Sequence, residues 1–113
     1  MKDTVKAEVD QLHAEICASL ADARRILILY ALASRPRPVS ELATELGFDA
    51  SSVSRHLKIL RHRGLVSASR VGSQVRYAVA DDRLIEALDL LRGVLRDSLY
   101  RRAELAEALR DPN

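Results

Sequence analysis

The segment SELATELGFDASSVSRHLKILRHRG, residues 40–64, leaves few folds open. ELATEL reads as a short helix that Ser40 can cap, with Glu41 well placed in its first turn. Gly47 ends that helix at the left-handed position glycine tolerates. Asp49 then caps a second helix by accepting from backbone N–H groups two or three residues on, and Gly64 closes it. Two short helices joined by a glycine turn make a helix-turn-helix pattern, expected over about residues 40–63.

The flanks are consistent with this unit. Upstream, Asp22 is placed to cap ARRILILYALAS, a helix apolar on most sides and therefore central, which Pro36 and Pro38 stop. Downstream, LVSASRVGSQVRYAV is rich in strand formers, and Gly72–Ser73 supply a turn. Val75, Tyr77 and Val79 alternate with Arg76 and Ala78, so a hairpin over about residues 65–79 has one buried and one solvated face.

Both ends read as helices. Val5, Val9, Leu12, Ile16 and Leu20 form one apolar stripe on a helix from about Thr4 to Ser19. Leu84, Leu88, Leu91, Leu95, Leu99, Leu105 and Leu109 lie near one stripe of a helix over about residues 81–110, with imperfect spacing around Arg102. A helix of roughly 30 residues is ~45 Å long, more than a domain of this size can cover. Its outer half needs another chain.

A length of 113 residues gives one domain, residues 1–113, and 48% hydrophobic with 30% charged residues makes it globular, mainly α with a small β-hairpin. No run approaches the ~18 apolar residues of a membrane span. The start, MKDTVKAEVDQLHAE, has acidic residues and no apolar core of a signal peptide, so the expected compartment is the cytoplasm. Cys17 is the only cysteine, which leaves no intrachain disulfide and no tetrathiolate zinc site.

The net charge of +2 conceals an asymmetry. Arg55, Lys58, Arg61, Arg63, Arg70 and Arg76 lie between Ala50 and Ala80, where there is no Asp or Glu. The remainder holds 12 basic and 16 acidic residues, a balance of −4. Such a block points to a polyanionic partner. At 100° per residue, Val53, Leu57 and Leu60 face inward, while Ser51, Arg55, Lys58 and His62 share an outward face with Ser52, Ser54 and His56 beside them. Small hydroxyl residues near the amino end allow close approach, and longer cations reach phosphates or guanine edges. Basic helix faces are often merely solvated. Here the cap, the preceding helix, the glycine turn and the hairpin all favour a helix for the major groove of duplex DNA. Arg70, Ser73, Gln74 and Arg76 around the hairpin tip would lie along the backbone or enter the minor groove.

LADARRILILYAL, VSELATELGFDASSVSRHLKILRHRGLV and RVGSQVRYAV resemble the ArsR/SmtB family of winged-helix transcriptional repressors, over roughly Cys17 to Asp97. The resemblance implies a homodimer joined through its first and last helices, about residues 4–20 and 81–110, with Leu12, Ile16, Leu84, Leu88, Leu91, Leu95 and Leu99 at the interface. It implies double-stranded operator DNA as partner, release by an inducer, and a DNA-facing role for His56. Metal-sensing members carry paired cysteines before the recognition helix, where this chain has VSELATEL. Others use an Asp-x-His and a later His-x-x-Glu, and the corresponding residues here are Asp81, Arg83, Val94 and Asp97. Both imidazoles are replaced, so neither usual metal site is intact and no cofactor is expected.

His13 and Cys17 sit at i and i+4 on the first helix. Three readings of Cys17 stand open: an ordinary packed thiol, a redox-sensitive thiol, or a metal ligand with His13. Nothing in the sequence suggests catalysis; there is no glycine-rich cofactor loop. The leading reading is a dimeric operator-binding repressor. Its rivals are a winged-helix interaction module without specific DNA binding and an enzyme, since related winged helices serve as dimerisation domains of methyltransferases.

Overall fold

The computed structural model describes residues 2–110. Helix α1 spans Asp3–Leu12, α2 Ala23–Leu32, α3 Val39–Leu46 and α4 Ala50–His62; strands β1 (Val66–Val71) and β2 (Gln74–Val79) precede α5 (Arg83–Arg110). The described residues form two compact units, one up to Asp82 and one from Arg83, where the sequence pattern suggests a single domain.

The first helix is not continuous. After Leu12 the chain makes a π-helical turn, His13–Cys17, with the Ala18 N–H donating to the His13 carbonyl at 2.9 Å, and then a short 3₁₀ turn, Ser19–Ala21. The Ser19 hydroxyl donates to the Glu15 carbonyl at 2.6 Å, a back-bond that competes with the helical ladder. Ser19 is itself buried, and its carbonyl accepts from Arg25 Nε at 2.6 Å.

Asp22 caps α2, its carboxylate accepting from the Arg24 N–H at 2.9 Å. That bond, opposed in part by desolvation, holds the Asp22 carboxyl below its ordinary value. Ile28, Leu29 and Leu32 of α2 meet Leu42, Val53, Leu57, Leu60, Leu65 and Val66 in the core. Helix α2 packs on α3, α4 and β2, as a central helix must.

Two caps differ from expectation. Pro38, in extended conformation, precedes α3, so Ser40 lies inside the helix, where its carbonyl accepts from Thr44 Oγ1 at 3.0 Å. Asp49 precedes α4 through its backbone alone: its carbonyl accepts from the Val53 N–H at 3.0 Å, and its side chain makes no capping bond. Gly47 ends α3 at φ 70°, the left-handed position where a side chain is strained.

The hairpin is antiparallel, from Val66 opposite Val79 to Val71 opposite Gln74, with Gly72 and Ser73 as the two-residue turn. Its other edge is bridged: the Arg37 and Tyr77 backbones exchange two hydrogen bonds of 2.9 and 2.8 Å, docking the segment before α3 onto β2.

Helix α5 is 28 residues long, about 42 Å at 1.5 Å per residue. Leu84 is half-buried and Leu88 is buried. Leu91, Leu95, Leu99, Leu105 and Leu109 are between 49% and 77% exposed. Val5, Val9 and Leu12 of α1 are also exposed, and Ile16 half-buried. None of the described helices is long and apolar enough to cross a membrane.

Candidate nucleic-acid interface

Packing sets which side of α4 is available. Val53, Leu57 and Leu60 are fully buried, which turns Ser51, Ser54, Arg55, Lys58, Arg61 and His62 outward. Arg55, Lys58 and Arg61 form no ion pair among the described residues, and no carboxylate occurs in the chain between Ala50 and Ala80. Beside them opens a cleft of about 570 Å³ lined by Ser51, Ser54, Arg55, Lys58, Arg61 and Tyr77. Its lining offers cations, hydroxyls and a phenol, which suits an anion.

Two residues expected on this surface are elsewhere. Ser52 and His56 are buried, 8% and 5% exposed, because the inward stripe is wider than its apolar members. Arg24 Nη1 donates to Ser52 Oγ at 3.4 Å and stacks its guanidinium 5.2 Å from the Phe48 ring centroid. Arg25 Nη1 approaches His56 Nδ1 at 3.4 Å. A guanidinium can only donate, so Nδ1 is the acceptor and the imidazole is neutral. Burial pushes the His56 pKa below 6.5; Asp22 favours the proton, while Arg25, Arg55 and Arg24 oppose it. Both polar residues hold α4 to α2 rather than facing a ligand.

A further strap ties the end of α4 to the π-helical turn: Arg63 Nη1 donates to Glu15 Oε2 at 2.9 Å. Arg63 is thereby withdrawn from the free cations of the basic block.

On the hairpin, Arg70, Ser73, Gln74 and Arg76 are exposed. Alternation puts Arg76 on the face of β2 opposite Tyr77, which lines the cleft beside α4. Arg76 Nε donates to Gln74 Oε1 at 3.0 Å. Gln74 borders a separate cleft of about 510 Å³ with Arg37, Glu41 and Glu45. Glu41 ion-pairs with Arg35, which holds its carboxyl low, with smaller help from Arg37 and Arg76. The hairpin therefore has an acidic neighbour on one face and a basic one on the other. Tyr77 is a site residue that the sequence pattern does not single out, and Arg61 is one that it names only as part of the basic block. Tyr77 alternates with Arg76 in the strand, but its place beside α4 requires the packing.

Cys17 is exposed, which removes the packed-thiol reading for the single chain. It ends the π-helical turn that His13 begins. Among the described residues, no three His, Cys, Asp or Glu side chains are grouped to hold a metal.

Residues 22–68 match the model of the bacterial regulatory protein arsR family. The chain is 38% identical over 101 residues to the uncharacterized HTH-type transcriptional regulator Rv0081 of Mycobacterium tuberculosis strain H37Rv, covering 88% of this chain and 89% of that protein. The HTH-type transcriptional regulator CmtR of the same strain is 46% identical over 83 residues, 73% of this chain and 70% of that one. The solution structure of the homodimeric winged helix-turn-helix DNA-binding domain Mb0332 of Mycobacterium bovis superposes with a TM-score of 0.76 at 32% identity, over 89% of this chain and 93% of that domain.

Proposed function

Since the chain belongs to the arsR family of bacterial regulatory proteins, whose winged helix-turn-helix it shares, we propose that it is a homodimeric repressor that binds a specific operator through α4. The observation that carries this reading is the outward face of α4, where Arg55 and Lys58 stand exposed and without a described ion-pair partner. Ser51 and Ser54, near the helix amino end, permit close approach to base edges, and Arg55 has the reach to read one. Arg70 and Ser73 of the hairpin contact the backbone outside the groove. The protein acts in the cytoplasm and leaves its operator when an inducer binds.

The exposed leucines of α5 and the apolar side chains of α1 support dimerisation. A two-fold dimer presents two α4 helices to half-sites about 34–36 Å apart, so the operator is pseudo-palindromic. Leu91→Asp puts a charge into the apolar seam, and sedimentation is expected to show monomers. A variant that stays dimeric would remove this interface.

Selection of bound duplexes from a random pool, followed by mobility shifts against excess nonspecific DNA, tests the function. A recurring pseudo-palindrome is the expected result. Binding with no preferred site would favour an interaction module.

A further inference from the structure

We propose that the cleft between α4 and β2 seats one phosphate of the DNA backbone, held by Arg61 and Tyr77. The inference rests on DNA binding by the α4 face and adds two residues to it. All six lining residues carry hydrogen-bond donors, three of them cationic, and no carboxylate lines the cleft. A phosphodiester, with two unprotonated oxygens and one negative charge, matches that lining.

Arg61 lies in the last turn of α4, on the flank nearest the hairpin, exposed and without an ion-pair partner among the described residues. Tyr77 comes from the other wall. Its backbone is held on both sides, paired with Ala68 of β1 and doubly bonded to Arg37, so the ring is presented by a rigid strand. No described side chain hydrogen-bonds its hydroxyl. A phosphate between them would link the recognition helix to the hairpin and set the angle at which both meet the duplex. Arg76, on the opposite face of β2 and already bonded to Gln74, cannot share that phosphate.

The test uses the full chain and a fluorescein-labelled random-sequence duplex of about 30 base pairs, roughly three helical turns. Anisotropy gives affinity across about 50–200 mM salt, where neutralised phosphates dominate the dependence. Arg61→Gln is expected to flatten the log–log salt slope by about 0.9 for each phosphate it ceases to neutralise, and Arg61→Lys to restore it. Tyr77→Phe, which keeps the ring, should weaken binding by about fivefold, the worth of one hydrogen bond, with the slope unchanged. In the Arg61→Gln background the Tyr77→Phe effect should shrink, because both act on one phosphate. Arg76→Gln should be additive with Tyr77→Phe. If wild type binds with a steep slope while Arg61→Gln and Tyr77→Phe leave slope and affinity unchanged, the cleft assignment is overturned and DNA binding stands. If wild type shows no binding, both are overturned.

Discussion

Arg55, Lys58 and Arg61 on the outward face of α4 have no described carboxylate partner, whereas around α2 and α3, Arg25, Arg35 and Arg37 pair with Asp22, Glu41 and Glu45 respectively. Both regions are rich in arginine, so composition alone does not tell them apart. What differs is where the countercharge comes from. Around α2 and α3 the chain supplies its own, and the guanidinium groups join elements of the fold. On α4 the countercharge must come from outside. Arg63 marks the border: it belongs to the basic block by sequence and to the paired class by structure.

Several substitutions would break or sharpen this contrast. The largest effect is expected on the inward face. Leu57→Ala removes a fully buried side chain and should cost about 2–5 kcal/mol in chemical denaturation. A smaller cost would mean that α4 is held mainly by its polar seat on Arg24 and Arg25. Next is Arg55→Ala, expected to cost about 1–3 kcal/mol of operator binding with little change in stability. Arg35→Ala, which removes a cation already paired to Glu41, should leave operator affinity unchanged. Equal effects from the two would erase the distinction between paired and free arginines.

The smallest effect is a pH dependence. His56 has a folded pKa below its unfolded value, so its contribution is complete above about pH 6.5 and is lost as pH falls toward the folded pKa. In that window the unfolded chain binds more protons, and stability should fall by at most about 1.4 kcal/mol per pH unit from this one group. Denaturation at a series of pH values should show this slope, and His56→Gln should flatten it. An unchanged slope would mean that burial does not depress the His56 pKa.

Local features of the fold were legible in the sequence. The Asp22 cap, Gly47 and the Gly72–Ser73 turn each depend on a few adjacent residues. Helical periodicity also gave the buried stripe of Val53, Leu57 and Leu60 and the exposure of Ser51, Arg55 and Lys58. It misplaced Ser52 and His56 because their polarity pointed to solvent, while the partners that bury them, Arg24 and Arg25, lie 28 and 31 positions away. The π-helical turn was equally hidden: one changed backbone bond at Ala18 leaves the apolar spacing as it was. For the hairpin, alternation separated Arg76 from Tyr77, but only packing shows which of them meets α4.

The most direct test of the central claim, that unpaired cations of α4 bind DNA as a dimer, is the salt dependence of wild-type operator affinity. With roughly four phosphates neutralised per protomer, log K against log salt should fall with a slope of about −7. A slope near zero would contradict the account.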